Sequence, residues 1–167
     1  GELLPAVFPP LTLQNAAQAS GLATWRVSTV TDMDWLPGTS LLAVTNGETV
    51  SLYDVMSRQV RRTLYPERKE VVELAIHPGG GWLVTGSRQG TEKEGYVSAL
   101  ELWRGPDWKP LGVMYGTPRG LASLDFSANG KVRAGAFASS IYEQNSFELW
   151  STPTGEITGT RARGPAR

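Results

Sequence analysis

The sequence contains no cysteine and a single histidine, which excludes disulfides, thiolate metal sites and any metal centre built from several histidines. Only carboxylates are left to hold a hard cation. It also lacks a charge of one sign: 16 lysines and arginines balance 16 aspartates and glutamates, so no whole-protein field draws the chain onto nucleic acid or an acidic membrane. No apolar run reaches the roughly 18 residues of a membrane-spanning helix. Long helical windows are scarce as well, because 19 glycines and 11 prolines interrupt nearly every stretch able to carry a 3.6-residue apolar stripe. The exception, Leu13 to Ser20, leaves two readings, a short helical turn or an irregular arm.

What remains is the composition of an ordinary globular chain, 40% apolar and 19% charged over 167 residues, rich in turn formers and suited to short strands. Three segments repeat one pattern. The first runs Val30-Thr31-Asp32-Met33-Asp34-Trp35-Leu36-Pro37-Gly38, then Ser40 to Thr45, then Val50-Ser51-Leu52-Tyr53-Asp54. The second runs Val72 to Gly79, Gly81 to Gly86, then Ala99-Leu100-Glu101-Leu102-Trp103. The third runs Leu121 to Gly130, Val132 to Phe137, then Ser146-Phe147-Glu148-Leu149-Trp150. The aromatic closing each third segment recurs at 53, 103 and 150, a period slightly above the roughly 40–45 residues of compact four-stranded repeats.

Within a repeat, the alternation of Met33 and Trp35 with Asp32 and Asp34 predicts a first strand with one apolar face, followed by a tight Pro-Gly or Asn-Gly turn. The second strand, nearly continuous in Leu, Val and Ala, reads as buried on both faces. A third strand ends on the aromatic, and a more polar fourth follows at Gln59 to Leu64, Trp108 to Met114 and Glu156 to Thr160. The expected organisation is an arm over 1–27 carrying a spare strand at Leu22 to Val27, repeats over 28–70, 71–119 and 120–160, and a loose tail over 161–167.

These repeats resemble the WD-repeat β-propellers, in particular divergent bacterial versions with an Asn-Ala-Ala-Gln leader, through the Pro-Gly turns and the triplets Leu52-Tyr53-Asp54, Leu102-Trp103-Arg104 and Leu149-Trp150-Ser151. The resemblance covers Leu11 to Thr160. It implies an all-β fold of three four-stranded antiparallel blades with an N-terminal extended arm. The family's Gly-His pair is missing and only Asp54 follows the aromatic as an acid, so its buried Asp-His-Ser-Trp hydrogen-bond network is not expected. Closed propellers use about four to eight blades. Three blades leave two blade faces in need of cover.

Function is therefore expected to be non-enzymatic and to rest on protein contacts. One reading is self-assembly with other copies of the chain into a ring or a filament, helped by strand addition from Leu22 to Val27. Its alternative is the N-terminal part of a longer closed propeller that acts as a ligand- or protein-binding scaffold. Arg88 to Val97 and Ser139 to Asn145 read as long loops at equivalent places, so Tyr96 and Tyr142 are candidate contact residues; plain tolerance of surface insertions is the competing account. Trp25 on the spare strand and Trp108 at the head of a fourth strand are the other candidates, whereas Trp35, Trp82, Trp103 and Trp150 are expected in the core.

Catalysis finds no constellation, and no cofactor, metal or nucleic acid is expected. His77 fills a turn slot occupied by Leu36 and Ser127 in the other repeats. Asp32 with Asp34, and Glu92 with Glu94, read as solvated charge because no calcium-loop ligands surround them. Gly79-Gly80-Gly81 precedes no helix and no Lys-Ser/Thr, and reads as a hairpin turn. The non-Met start and the lack of cysteine fit a secreted or extracytoplasmic protein.

Overall fold

The structure is a computed structural model that describes residues 12, 14, 24, 26, 28–91, 93, 95–115, 120–138 and 146–151. Among these every regular element is a strand. The first sheet pairs β1 (Asp32–Trp35), β2 (Leu41–Thr45), β3 (Val50–Asp54) and β4 (Gln59–Leu64) in sequence order. The second pairs β5 (Val71–Ile76), β6 (Trp82–Thr91), β7 (Gly95–Arg104) and β8 (Lys109–Tyr115) in the same way. The third holds β9 (Gly120–Phe126), β10 (Val132–Ala138) and β11 (Ser146–Ser151) among the described residues. All neighbouring strands are antiparallel.

The repeat seen in the sequence is a repeat of geometry. Each first hairpin closes with the same bond three residues long: Thr39 N–H to Leu36 O, Gly80 N–H to His77 O, and Gly130 N–H to Ser127 O. The β3·β4 and β7·β8 ladders slip at one equivalent place, between Leu52 and Tyr53 and between Leu102 and Trp103. Asp54 organises the β3–β4 turn by accepting the Met56 and Ser57 N–H groups, and Arg61 clamps its other oxygen at 2.6 Å. That guanidinium holds the Asp54 carboxyl well below the usual carboxylate range.

Side chains alternate across each pleat, so each sheet offers one face to the next sheet and one to the previous. Leu36, Ala43, Val50, Leu52 and Leu64 of the first sheet meet Leu74, Ile76, Leu83, Trp103 and Trp108 of the second in one core. Ala75, Val84, Leu100 and Leu102 meet Leu121, Leu124, Phe126, Phe137 and Trp150 in another. The second contact is close enough to need glycine: a Cβ at Gly86 would overlap the Leu121 side chain, and one at Gly130 would overlap His77. His77 is the expected turn residue, its Nδ1 accepting Gly79 N–H, and it also stands edge-on to Phe126 at 5.4 Å.

Three expectations change. Arg88 to Val97 is not a loose loop but the continuation of β6 and β7, paired residue for residue out to Thr91 and Gly95. A hairpin satisfies its own backbone groups, which an excursion over the surface would leave to water. The fourth strand of the second sheet begins at Lys109, because Trp108 adopts a positive φ of 48° in the preceding turn. Trp35 is exposed on the first sheet's outer face rather than in a core, since among the described residues no sheet lies on that side of β1. The spare strand at 22–27, the segment 13–20 and the fourth strand at 156–160 fall outside the described residues, apart from positions 14, 24 and 26.

Candidate interaction faces

Equivalent residues of the three sheets show which faces are complete. On the face turned to the following sheet, Val50 and Leu52 are 0% and 1% exposed, and Leu100 and Leu102 are 3% and 9%. Their counterparts in the third sheet, Phe147 and Leu149, are 62% and 38% exposed. On the opposite face, Leu74 and Ile76 are buried by the first sheet and Leu124 and Phe126 by the second. Their counterparts in the first sheet, Met33 and Trp35, are 60% and 53% exposed. Leu42, Val44 and Tyr53 continue that face through the ladder register, Met33 opposite Val44 and Trp35 opposite Leu42. Both end faces thus carry the side chains of a sheet-to-sheet core without an opposing sheet among the described residues.

A second pattern runs along the innermost strands β1, β5 and β9, each with one paired edge and one free edge. Asp32 Oδ2 accepts Leu74 N–H at 2.8 Å and Asp34 Oδ2 accepts Ile76 N–H at 2.9 Å, so carboxylates of β1 cap donors of β5. Glu73 repeats this toward β9 by accepting Leu124 N–H; burial and the nearby Asp32 push its carboxyl up despite that bond. Asp32 and Asp34 are therefore sheet-to-sheet fasteners, not solvated charge. Their two-residue spacing was the visible signal, since it puts both on the face opposite Met33 and Trp35. Glu92 and Glu94 lie outside the described residues.

The extended β6–β7 hairpin forms a third feature. Arg88 stacks over Tyr96 at 5.0 Å, and Arg68 stacks over Tyr115 at 5.1 Å while donating from Nη2 to its hydroxyl. A cleft of about 330 Å³ lies beside them, lined by Arg68, Gln89, Gly90, Val97 and Tyr115 among others. Further along β7, Glu101 is buried and accepts Glu67 N–H, and burial pushes its carboxyl up.

Of the candidate contact residues, Tyr96 sits on this hairpin, half-buried under Arg88. Trp108 does not reach outward: it is 7% exposed and fills the core between the first two sheets. The positive φ turns its ring back onto the sheet, a reversal that strand periodicity does not encode. Trp25 and Tyr142 lie outside the described residues. Trp103 donates to Thr85 Oγ1 at 3.2 Å inside the core. Arg133, which sequence reasoning passed over, is buried with no partner for Nε, and that burial lowers its pKa. Among the described residues no group of three or more His, Asp or Glu is placed to hold a metal, and no helix is long and apolar enough to cross a membrane.

No family model matches the chain, and no curated protein does. Among solved structures it is similar to the crystal structure of the Myceliophteria thermophila Cps50 (Swd1) β-propeller domain, with a TM-score of 0.65 at 20% identity over 86% of this chain. The chain spans 41% of the length of that domain. The fold is that of β-propeller blades.

Proposed function

We propose that the chain is a non-enzymatic propeller scaffold that works through protein contacts, its two end faces covered by further blades. The observation that supports this reading is the exposure of Phe147, Leu149, Met33 and Trp35 at positions whose counterparts are buried in both sheet-to-sheet contacts. Burying such side chains is worth roughly 1.5–3 kcal/mol each, a strong drive toward a partner of matching shape. The larger size of the similar propeller domain supports room for more blades. Other copies of the chain could supply them by self-assembly, or they belong to a longer propeller; molecular mass in solution separates the two. An extracytoplasmic location is part of the same proposal, and cell fractionation tests it.

The test replaces Met33, Trp35, Phe147 and Leu149 with serine and compares dye binding and light scattering with the wild type. The wild type should either associate or bind an apolar fluorescent dye, and the folded variant should do neither. A wild-type chain that is monomeric and binds no dye would overturn the reading.

A further inference from the structure

The second sheet carries a surface of its own, apart from the two end faces. Pairing with β5 reaches Val71 opposite Ser87, and pairing with β8 reaches Tyr115 opposite Ala99, while β6 and β7 run on together to Thr91 and Gly95. The cleft of about 330 Å³ takes Gln89, Gly90 and Val97 from this overhang, Tyr115 from the end of β8, and Arg68 from the loop before β5.

That loop is pinned on both sides of Arg68. Glu67 N–H donates to Glu101 Oε2 at 2.9 Å, and Glu70 O accepts Arg88 N–H at 3.1 Å. Arg68 itself lies over the Tyr115 ring at 5.1 Å and donates from Nη2 to the Tyr115 hydroxyl at 2.6 Å. Its guanidinium is therefore fixed before any partner arrives, which removes much of the ordering cost of a contact. Yet the charge is not answered. Arg61 has Asp54 at 2.6 Å, whereas Arg68 forms no ion pair with a described carboxylate and its Nε is buried without an acceptor. Arg88 is turned to the Tyr96 ring and does not line the cleft, so Arg68 is its one charged group among the described residues.

Resting on the reading of the chain as a protein-contact scaffold, we propose that this cleft docks an acidic segment of a partner protein. One aspartate or glutamate carboxylate meets the Arg68 guanidinium, and an apolar neighbour on the same segment covers Val97 and Tyr115, which are 52% and 60% exposed. A single planar guanidinium matches a single carboxylate, whereas a nucleic-acid backbone calls for a row of cations. Arginine and tyrosine beside an exposed apolar side chain are the residue types that anchor protein contacts. Gln89 supplies an amide able to donate to or accept from the segment's backbone.

The probe is a fluorescein-labelled peptide of alternating glutamate and valine, titrated onto the full chain by fluorescence polarisation against its glutamine-valine counterpart. The glutamate peptide should bind at least about tenfold tighter, and added salt should weaken it. Arg68→Gln should abolish that preference. Val97→Glu, which sets a carboxylate in the cleft from an exposed position, should do the same if Arg68→Gln does not fold, with circular dichroism as the check on both. Absence of binding, binding without a glutamate preference, or a preference that persists in the folded variants overturns the proposal. Competition by N-acetylglutamate as tight as that of the peptide also overturns it, because the site would then be one for free carboxylates. The scaffold reading is tested separately, by association and dye binding at the end faces, so the two can fail independently.

Discussion

The sheet-to-sheet contacts and the two end faces are built from the same residue positions, yet only the contacts bury them. Val50 and Phe147 are equivalent members of third strands, one sealed in a core and the other on the surface. Asp34 and Asp125 are equivalent members of first strands, one fastening two sheets and the other, among the described residues, holding the backbone of its own strand. The difference lies in what stands opposite, not in the local sequence. On the scaffold reading proposed above an end face is an unfinished interface, and its exposed side chains should cost little to change in the isolated chain.

The sharpest break of this comparison places a charge at both ends of it. Val50→Asp should cost more than about 4 kcal/mol or prevent folding, because it buries an unpaired carboxylate. Phe147→Asp should stay within about 0.5 kcal/mol of wild type in equilibrium denaturation. Equal losses would mean that the Phe147 face is already covered. A smaller contrast comes from the fasteners: Asp34→Ala should cost about 1.5–3 kcal/mol through the lost Ile76 bond, measured by urea unfolding. Asp125→Ala should cost clearly less, since only a bond within its own strand is lost.

The smallest effect concerns the buried Glu101 of β7. Burial raises its pKa above the unfolded value, so its favourable contribution is fully present when it is protonated and is lost as pH rises through the folded pKa. Glu101→Gln should therefore be more stable than wild type at neutral pH, with the gap closing below about pH 4. Thermal melts across that range would show it; a gap that widens in acid would contradict the burial account.

The fold was legible because three copies of one pattern reinforce each other: the turns after Leu36, His77 and Ser127 and the aromatics at 53, 103 and 150 fall where the repeat puts them. The fourth strand at Gln59 to Leu64 was legible to the residue. Periodicity says that a residue is on a face, but not whether a sheet lies over that face. Trp35 therefore read as core and is exposed. It is equally blind to a backbone reversal such as the one that buries Trp108, and to strands that outrun their turn signals, as β6 and β7 do. The interaction faces were foreseen as a need for cover, whereas the carboxylate fasteners were not, because their donors are backbone groups that sequence does not display.

The central claim is that the end faces are unfinished blade contacts, and sedimentation velocity over a concentration series with an apolar dye tests it most directly. The account predicts that the wild-type chain associates as concentration rises or binds dye, and that Trp35→Arg/Phe147→Arg remains a folded, dye-free monomer throughout. A wild-type chain that stays monomeric and free of dye, indistinguishable from that variant, would contradict it.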